Sequence, residues 1–236
     1  MKIRINKYLS EQGYCSRRQA DELIKSGKVL INDQKARLGD VVDDSDIVSV
    51  SGEKKKERRE NVYIALHKPV GLICTTDIRS RDNVVHFINY PERIYPVGRL
   101  DVESSGLLLM TNDGTLSNRL MHPRFKHEKE YVVQVEFPLS NLDIGRLANG
   151  IDIGDYKTQK CKVRKMGPTK FAIILTEGKN QQIRRMVKAI NNKVLKLKRT
   201  RIENVKLGAM KEGAWRHLTQ KEIKELKFQS DPKNRT

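Results

Sequence analysis

The sequence has few cysteines, and none is placed as a disulfide partner or a metal ligand would be. Three cysteines stand far apart among 236 residues, without a CxxC pair. This pattern indicates reduced thiols in a cytoplasmic protein and argues against disulfides or zinc. The five histidines are also poorly placed, since His122 and His127 would lie about 140° apart around a helix. We therefore expect no metal.

Long apolar runs are absent too. No stretch approaches the roughly 20 residues of a membrane span, and the N-terminal MKIRINKYLS lacks the apolar core of a signal peptide. The signatures GxGxxG, HExxH and GxSxG are missing, as is the lysine-bearing phosphate loop. A membrane protein, a nucleotide-dependent enzyme and a zinc enzyme are therefore not indicated.

Acidic residues are in the minority. The chain carries 47 Lys and Arg against 29 Asp and Glu, a net charge of +18. Such a field attracts phosphate, so nucleic acid is the first partner to consider and an anionic membrane surface the second. The length allows one good-sized domain and a small one.

Residues 1–50 have the pattern of a small α/β domain. Apolar spacing from Ile5 predicts a short helix, and Ser16 with Gln19 forms a capping box that begins a second helix. The segment VLINDQKA predicts a hairpin that turns at Asn32.

The stretch RINKYLSEQGYCSRRQADELIKSGKVLIN resembles the small RNA-binding domain typified by ribosomal small-subunit protein four. In that family the two helices and the hairpin present basic side chains to structured RNA. An ordinary solvated basic face is the alternative. The capping box, the glycines and the strand together favour RNA. The resemblance implies phosphate contacts by Arg4, Lys7, Arg17, Arg18 and Lys28.

The rest of the chain predicts a larger catalytic domain. Residues 51–61 are dominated by charge and predict a linker. Over 62–228, strand patterns outnumber helical ones and no βαβ rhythm occurs, which predicts an α+β fold with a largely antiparallel mixed sheet. We expect helices at TLSNRLM, after an N-cap at Asn180, and from a capping box at Thr219. Residues 229–236 predict a disordered tail.

Two stretches contain side chains that could do chemistry. Residues 178 to 206 include ten Lys or Arg and a single acidic residue, Glu203. This excess of positive charge predicts a surface for a polyanion. Within it Arg184 lies at the edge of an apolar helix face, where it could reach inward, whereas Arg185 faces solvent as an RNA contact. Elsewhere, Asp101 precedes the apolar segment GLLLMTN; taken alone, it is more often a turn residue than a catalytic one.

Three motifs occur in the order GRLDVESSGLLLMTNDG, HEKEYVVQV and EGKNQQIRRM, followed by LKLKRTRIENVKLGAMKEGAWRHLT. Together they resemble the pseudouridine synthases that modify ribosomal RNA and carry an N-terminal domain of the ribosomal-protein-four type. The large-subunit branch is the most similar. The resemblance covers nearly the whole chain except the linker and the tail.

The resemblance also implies roles for five residues. Asp101 is then the catalytic aspartate, Tyr131 stacks on the target base, and Arg184 pairs with the aspartate. Arg99 enters the RNA stack in place of the extruded uridine. Ile183 lines the pocket.

Uridine isomerisation breaks a C–N bond, rotates the base and forms a C–C bond, so we expect no cofactor. The carboxylate must be ionised to act, and a nearby arginine favours that form. Whether it attacks C1′, attacks C6 or removes a sugar proton stays open. We expect a cytoplasmic monomer acting on 23S ribosomal RNA, with small-subunit RNA and transfer RNA as alternatives. A non-catalytic RNA-binding protein and another RNA-modifying enzyme, such as a methyltransferase, are the rivals.

Overall fold

The chain forms two compact units, Met1–Glu60 and Asn61–Thr236. The computed structural model describes residues 2–51, 60–77, 79–231 and 234. Most of the predicted linker, residues 52–59, lies outside the described residues.

The smaller unit consists of two helices and short strands. Its elements are β1 (Ile3–Arg4), α1 (Ile5–Glu11), α2 (Arg17–Lys25), β2 (Val29–Ile31), β3 (Gln34–Lys35), β4 (Val41–Val42) and β5 (Val48–Val50). The predicted capping box is confirmed, because the Ser16 hydroxyl accepts from the Gln19 amide while the Gln19 side chain accepts from the Ser16 amide. The hairpin turn is confirmed as well, with Asn32 and Asp33 in left-handed conformations. Ile5, Leu9, Ala20 and Ile24 bury the helix faces in one core.

A nine-stranded sheet organises the larger unit. Its strands are β6 (Tyr63–Lys68), β7 (Tyr95–Val97), β8 (Ser105–Thr111), β9 (Lys129–Val135), β10 (Lys162–Gly167), β11 (Lys170–Leu175), β12 (Val194–Ile202), β13 (Val205–Lys206) and β14 (Trp215–His217). The main path runs β10-β11-β9-β12-β8-β6-β14, while β13 pairs with β12 and β7 with β8. Only β8 and β12 pair in parallel among the described strands. The predicted α+β class with a largely antiparallel mixed sheet is therefore confirmed.

Helices cover the sheet unequally on its two faces. They are α3 (Val84–Ile88), α4 (Gly114–Met121), α5 (Asn141–Asn149), α6 (Gln182–Lys188) and α7 (Gln220–Ser230), with a 3₁₀ turn at Pro123–Phe125. We call the face that carries Tyr131 the front. There α5 and α6 pack on β9–β12, and α3 packs on β6 and β8. On the back, α4 and α7 pack on β6 and β8.

Helix ends and two short helices depart from the sequence expectations. The cap of α6 is Gln181, in a left-handed conformation and without a side-chain cap, so Asn180 is not the N-cap. Helix α7 continues to Ser230, two residues into the predicted tail, because the Ser230 hydroxyl is buried and donates to the Lys227 carbonyl. The helices α3 and α5 were not expected, although Ser140 begins α5 with a capping box. No described helix is long and apolar enough to cross a membrane.

Gly106 allows β8 and β12 to approach closely. Its φ is +112°, and a Cβ built there would lie 2.3 Å from the Arg199 carbonyl oxygen. Gly106→Ala should therefore lower the free energy of unfolding by about 3 kcal/mol, through overpacking and backbone strain. Urea unfolding followed by the fluorescence of the single tryptophan, Trp215, measures this change.

Gly145→Ala is the matched control, since Gly145 lies inside α5 with nothing within 4 Å of its Cβ position. Alanine there should raise stability by about 0.5–1 kcal/mol. Equal stability changes in the two variants would contradict the close approach of β8 and β12.

Candidate active site

The candidate site is centred on the loop between β7 and β8, which carries Arg99 and Asp101. Leu100 is buried, and its amide donates to the Cys74 sulfur at 3.3 Å. A turn closes where the Ser104 amide donates to the Asp101 carbonyl at 3.0 Å. Between these two anchors, Asp101 is half-buried and Arg99 is exposed. The loop thus places a carboxylate at the edge of the sheet's front face.

A buried lysine at the end of β6 binds the backbone of this loop just after Asp101. Lys68 has no exposed surface, and its Nζ donates to the carbonyls of Pro69 and Ser104 at 2.8 Å and of Val102 at 3.4 Å. Burial lowers the pKa of Lys68, while nearby anionic groups, Asp101 among them, oppose that shift. Lys68 therefore satisfies three backbone acceptors with a single cation, two of them, Val102 and Ser104, just after Asp101.

Arg199 of β12 fixes the start of the loop to the neighbouring strand β8 through hydrogen bonds. It is 2% exposed, and its Nε donates to the Leu107 carbonyl at 2.7 Å while Nη1 donates to the Arg99 carbonyl at 3.4 Å. Its Nη2 is buried without a hydrogen-bond partner among the described residues. A guanidinium presents several donors in a fixed plane, so one side chain can tie the strand to the loop.

Arg184 reaches the same loop from α6. Its Nη2 donates to the Glu103 carbonyl at 3.1 Å, and its Nη1 lies 3.4 Å from the Glu103 carboxylate. The side chain is only 17% exposed, and its Nε is buried without a partner among the described residues. The structure thus pairs Arg184 with Glu103, two residues after Asp101, and gives no ion pair with Asp101 itself. Sequence spacing correctly predicted that Arg184 turns inward, but the partner depends on how the loop folds.

Tyr131 lies where the two front cores meet. It is half-buried on β9, opposite Ile173 of β11 and Arg199 of β12. Its ring packs against the core under α5 and α6 and also against the core under α3. Ile183 is buried in the first of these cores. The site therefore has an aromatic floor beside the loop that carries Asp101.

Other cations of the predicted basic surface are engaged with protein groups. Arg185 pairs with Asp155 and donates to the Ile153 carbonyl at 2.6 Å, and this contact lowers the pKa of Asp155. Arg201 contacts two carboxylates of β9 and the segment before it, at 2.8 and 3.0 Å. With Arg199 buried, the stretch 178–206 is only partly a surface for a polyanion.

The predicted RNA contacts of the smaller unit differ in availability. Arg4, Arg17, Arg18 and Lys28 are exposed. Lys7 is half-buried and lies 3.6 Å from the Glu11 carboxylate. The exposed cations keep their charge available for phosphate.

Two residues of the site, Lys68 and Arg199, were missed by sequence reasoning. Lys68 ends the apolar strand segment YIALHK, and a charge at the end of a buried strand is a signal that could have been used. Arg199 was hidden among ten cations of similar appearance. Its alternation with Leu197 on β12 places it on the front face, but only the sheet order identifies what that face covers.

Comparison with known proteins identifies the family to which the chain belongs. Residues 62–189 match the family model of RNA pseudouridylate synthase, and residues 3–48 match the S4 domain. The chain is 45% identical to the dual-specificity RNA pseudouridine synthase RluF of Escherichia coli K12, over 95% of this chain and 78% of that protein. It is 41% identical to ribosomal large subunit pseudouridine synthase B of Bacillus subtilis, over 97% of both chains.

A crystal structure of a pseudouridylate synthase has the same fold. It superposes with a TM-score of 0.70 at 31% identity, covering 95% of this chain and 99% of that one. The matched fold, the two matched family models and the high identity over nearly the full length all point to one assignment. The chain belongs to the RNA pseudouridine synthase family, in the branch that carries an N-terminal S4 domain, and it isomerises uridine to pseudouridine in RNA.

Proposed function

We propose that the substrate is ribosomal RNA, specifically the large-subunit 23S RNA, and that the protein acts on it in the cytoplasm as a monomer. Support comes from the Bacillus subtilis relative, which is named for the large ribosomal subunit. The RluF relatives are named for dual specificity, so transfer RNA is a second substrate to test.

Asp101 is proposed as the catalytic carboxylate. The single observation that carries this proposal is the convergence of Lys68, Arg184 and Arg199 on the backbone around it. Three cations attract negative charge to this loop, and Asp101 is the half-buried carboxylate it carries. A carboxylate held among cations can act as a nucleophile or as a base.

Tyr131 is proposed as the surface on which the extruded uracil stacks. A base must leave its helix before a protein carboxylate can reach its sugar or ring, and a flat aromatic side chain compensates for the lost stacking. Ile183 would line the same pocket from α6. Arg99, which is exposed two residues before Asp101, is proposed to enter the space that the base leaves.

The reaction requires these residues to move protons but not electrons. The N1–C1′ bond breaks, the base turns, and C5 bonds to C1′. The hydrogen on C5 leaves as a proton, and N1 ends with a proton. Arg184, whose Nε has no partner among the described residues, is proposed to hold the carboxylate or the uracil during these steps. Atoms and electrons balance within the substrate, so no external co-reactant is consumed.

Asp101→Asn should abolish isomerisation, because it keeps the shape of the side chain and removes its charge. We expect kcat to fall by at least about 10²-fold, while the Kd for RNA stays near the wild-type value. Base-level mapping of pseudouridine in ribosomal and transfer RNA treated with each enzyme measures the loss and identifies the target.

Glu136→Gln, which removes an exposed carboxylate just after β9, is the control and should keep wild-type activity. An Asp101→Asn enzyme that modifies RNA at the wild-type rate would refute the catalytic role of Asp101.

Arg199→Lys should lower kcat without raising KM. Lysine keeps the charge but replaces two nitrogens that donate from separate positions of a planar group, Nε to the Leu107 carbonyl and Nη1 to the Arg99 carbonyl, with one nitrogen on a shorter side chain, so we expect the loop to lose one of its anchors. Unfolding in urea should show a loss of about 1–3 kcal/mol, the cost of a buried acceptor without a donor. Arg81→Lys, at an exposed arginine just before α3, is the control. A wild-type kcat in Arg199→Lys would exclude this positioning role.

Arg17→Ala/Arg18→Ala should weaken RNA binding and flatten its salt dependence. Both side chains are exposed at the start of α2, and each phosphate contact contributes about 0.7–0.9 to the slope of log K against log salt. Filter binding or fluorescence anisotropy over a range of salt concentrations should therefore give a slope smaller by about 1.5. The control Lys221→Ala/Lys224→Ala removes two charges from α7. An unchanged slope for the arginine variant would remove α2 from the RNA contacts.

A further inference from the structure

Four strands of the sheet present a basic surface on the back, opposite the candidate site. Side chains alternate along β9–β12, so the neighbours of the front residues point to the back. The register places Arg164, Ala172, Val132 and Lys198 in one row across the four strands. Lys162 lies in the next row on one side, and Lys170 and Lys196 in the row on the other. We call the surface formed by Lys162, Arg164, Lys170, Lys196 and Lys198 the basic back face.

The acidic side chain on the basic back face already forms an ion pair with an arginine outside the five cations. The acid among the register positions is Glu130, which pairs with Arg201 at 3.0 Å. The five cations form no ion pair or hydrogen bond with the described residues, and all but the half-buried Lys198 are exposed. Strands are about 4.8 Å apart, so the cations spread over about 14 Å from β10 to β12. Like charges this close repel one another, and a bound anion would offset that repulsion.

The helices of the larger unit do not occupy this surface. Helices α4 and α7 cover the back of β6 and β8, whereas α5 and α6 lie on the front of β9–β12. Charge complementarity therefore favours an extended anion, and RNA is the polyanion on which this family acts. The back-face positions of the four strands include no aromatic residue, so bases have nothing to stack on. The chemistry present suits the phosphate backbone of an RNA helix.

We propose that the basic back face binds the phosphates of a second helical segment of the substrate RNA, separate from the segment that delivers the target uridine to Tyr131. Tyr131 lies on the front, and its neighbour Val132 points to the back. One RNA helix at the front site cannot reach phosphates on both faces of the sheet. The proposal rests on an RNA substrate but not on the role of Asp101.

The test compares two RNAs that share one target uridine, located beforehand by base-level mapping. The first is a minimal stem-loop, and the second is a transcript extended by the neighbouring helices of the natural RNA. The variant Arg164→Gln/Lys196→Gln removes two exposed cations from opposite edges of the basic back face. Lys221→Gln/Lys224→Gln removes two exposed cations from α7 and is the matched control. Thermal melting checks that both variants keep the wild-type fold.

On the extended transcript, the slope of log K against log salt should fall by about 1.5 in the back-face variant and stay unchanged in the control. On the minimal stem-loop, both variants should keep the wild-type slope and kcat. An unchanged slope on the extended transcript would overturn the proposal. An equal loss on both RNAs would also overturn it, since the cations would then belong to the primary site. The salt slope is a property of binding and does not depend on which residue catalyses the reaction. A finding that Asp101 is not the catalyst would therefore leave this test of the basic back face intact.

Discussion

The carbonyl groups of residues 99–107 are the acceptors on which the site depends. A loop that enters a buried strand leaves backbone oxygens without partners, and leaving them unpaired would cost about 1–3 kcal/mol each. Lys68, Arg184 and Arg199 supply the donors, each from a different secondary structure element. Because cations rather than neutral groups fill this role, the same contacts that fix the loop also concentrate positive charge beside Asp101.

The sheet turns these separate contacts into one site. Parallel pairing of β8 with β12 brings Gly106 against Arg199, and antiparallel pairing of β12 with β9 brings Arg199 beside Tyr131. A side chain at Gly106 would force the two strands apart. Backbone pairing therefore fixes the position of Tyr131 relative to the loop that carries Asp101, with Arg199 between them.

The two faces of the sheet have different tasks in this arrangement. On the front, helices pack on both sides of Tyr131, which lies half-buried where the two cores meet. The back of β9–β12 keeps its cations exposed. The S4 domain forms a separate compact unit with further exposed cations, among them Arg17 and Arg18. A long, folded RNA offers phosphates to several such surfaces at once, whereas a short hairpin does not.

The sequence by itself determined the local structure and the ordered motifs. The capping boxes at Ser16 and Thr219, the turn at Asn32 and the helix at TLSNRLM follow from short-range patterns. The motifs around residues 101, 131 and 184 indicated the family. Only the tertiary structure decided that Arg184 contacts Glu103, that Arg199 is buried and that Lys68 joins the site. These contacts connect residues 34 to 100 positions apart, and no local periodicity encodes which of many similar cations the fold will enclose.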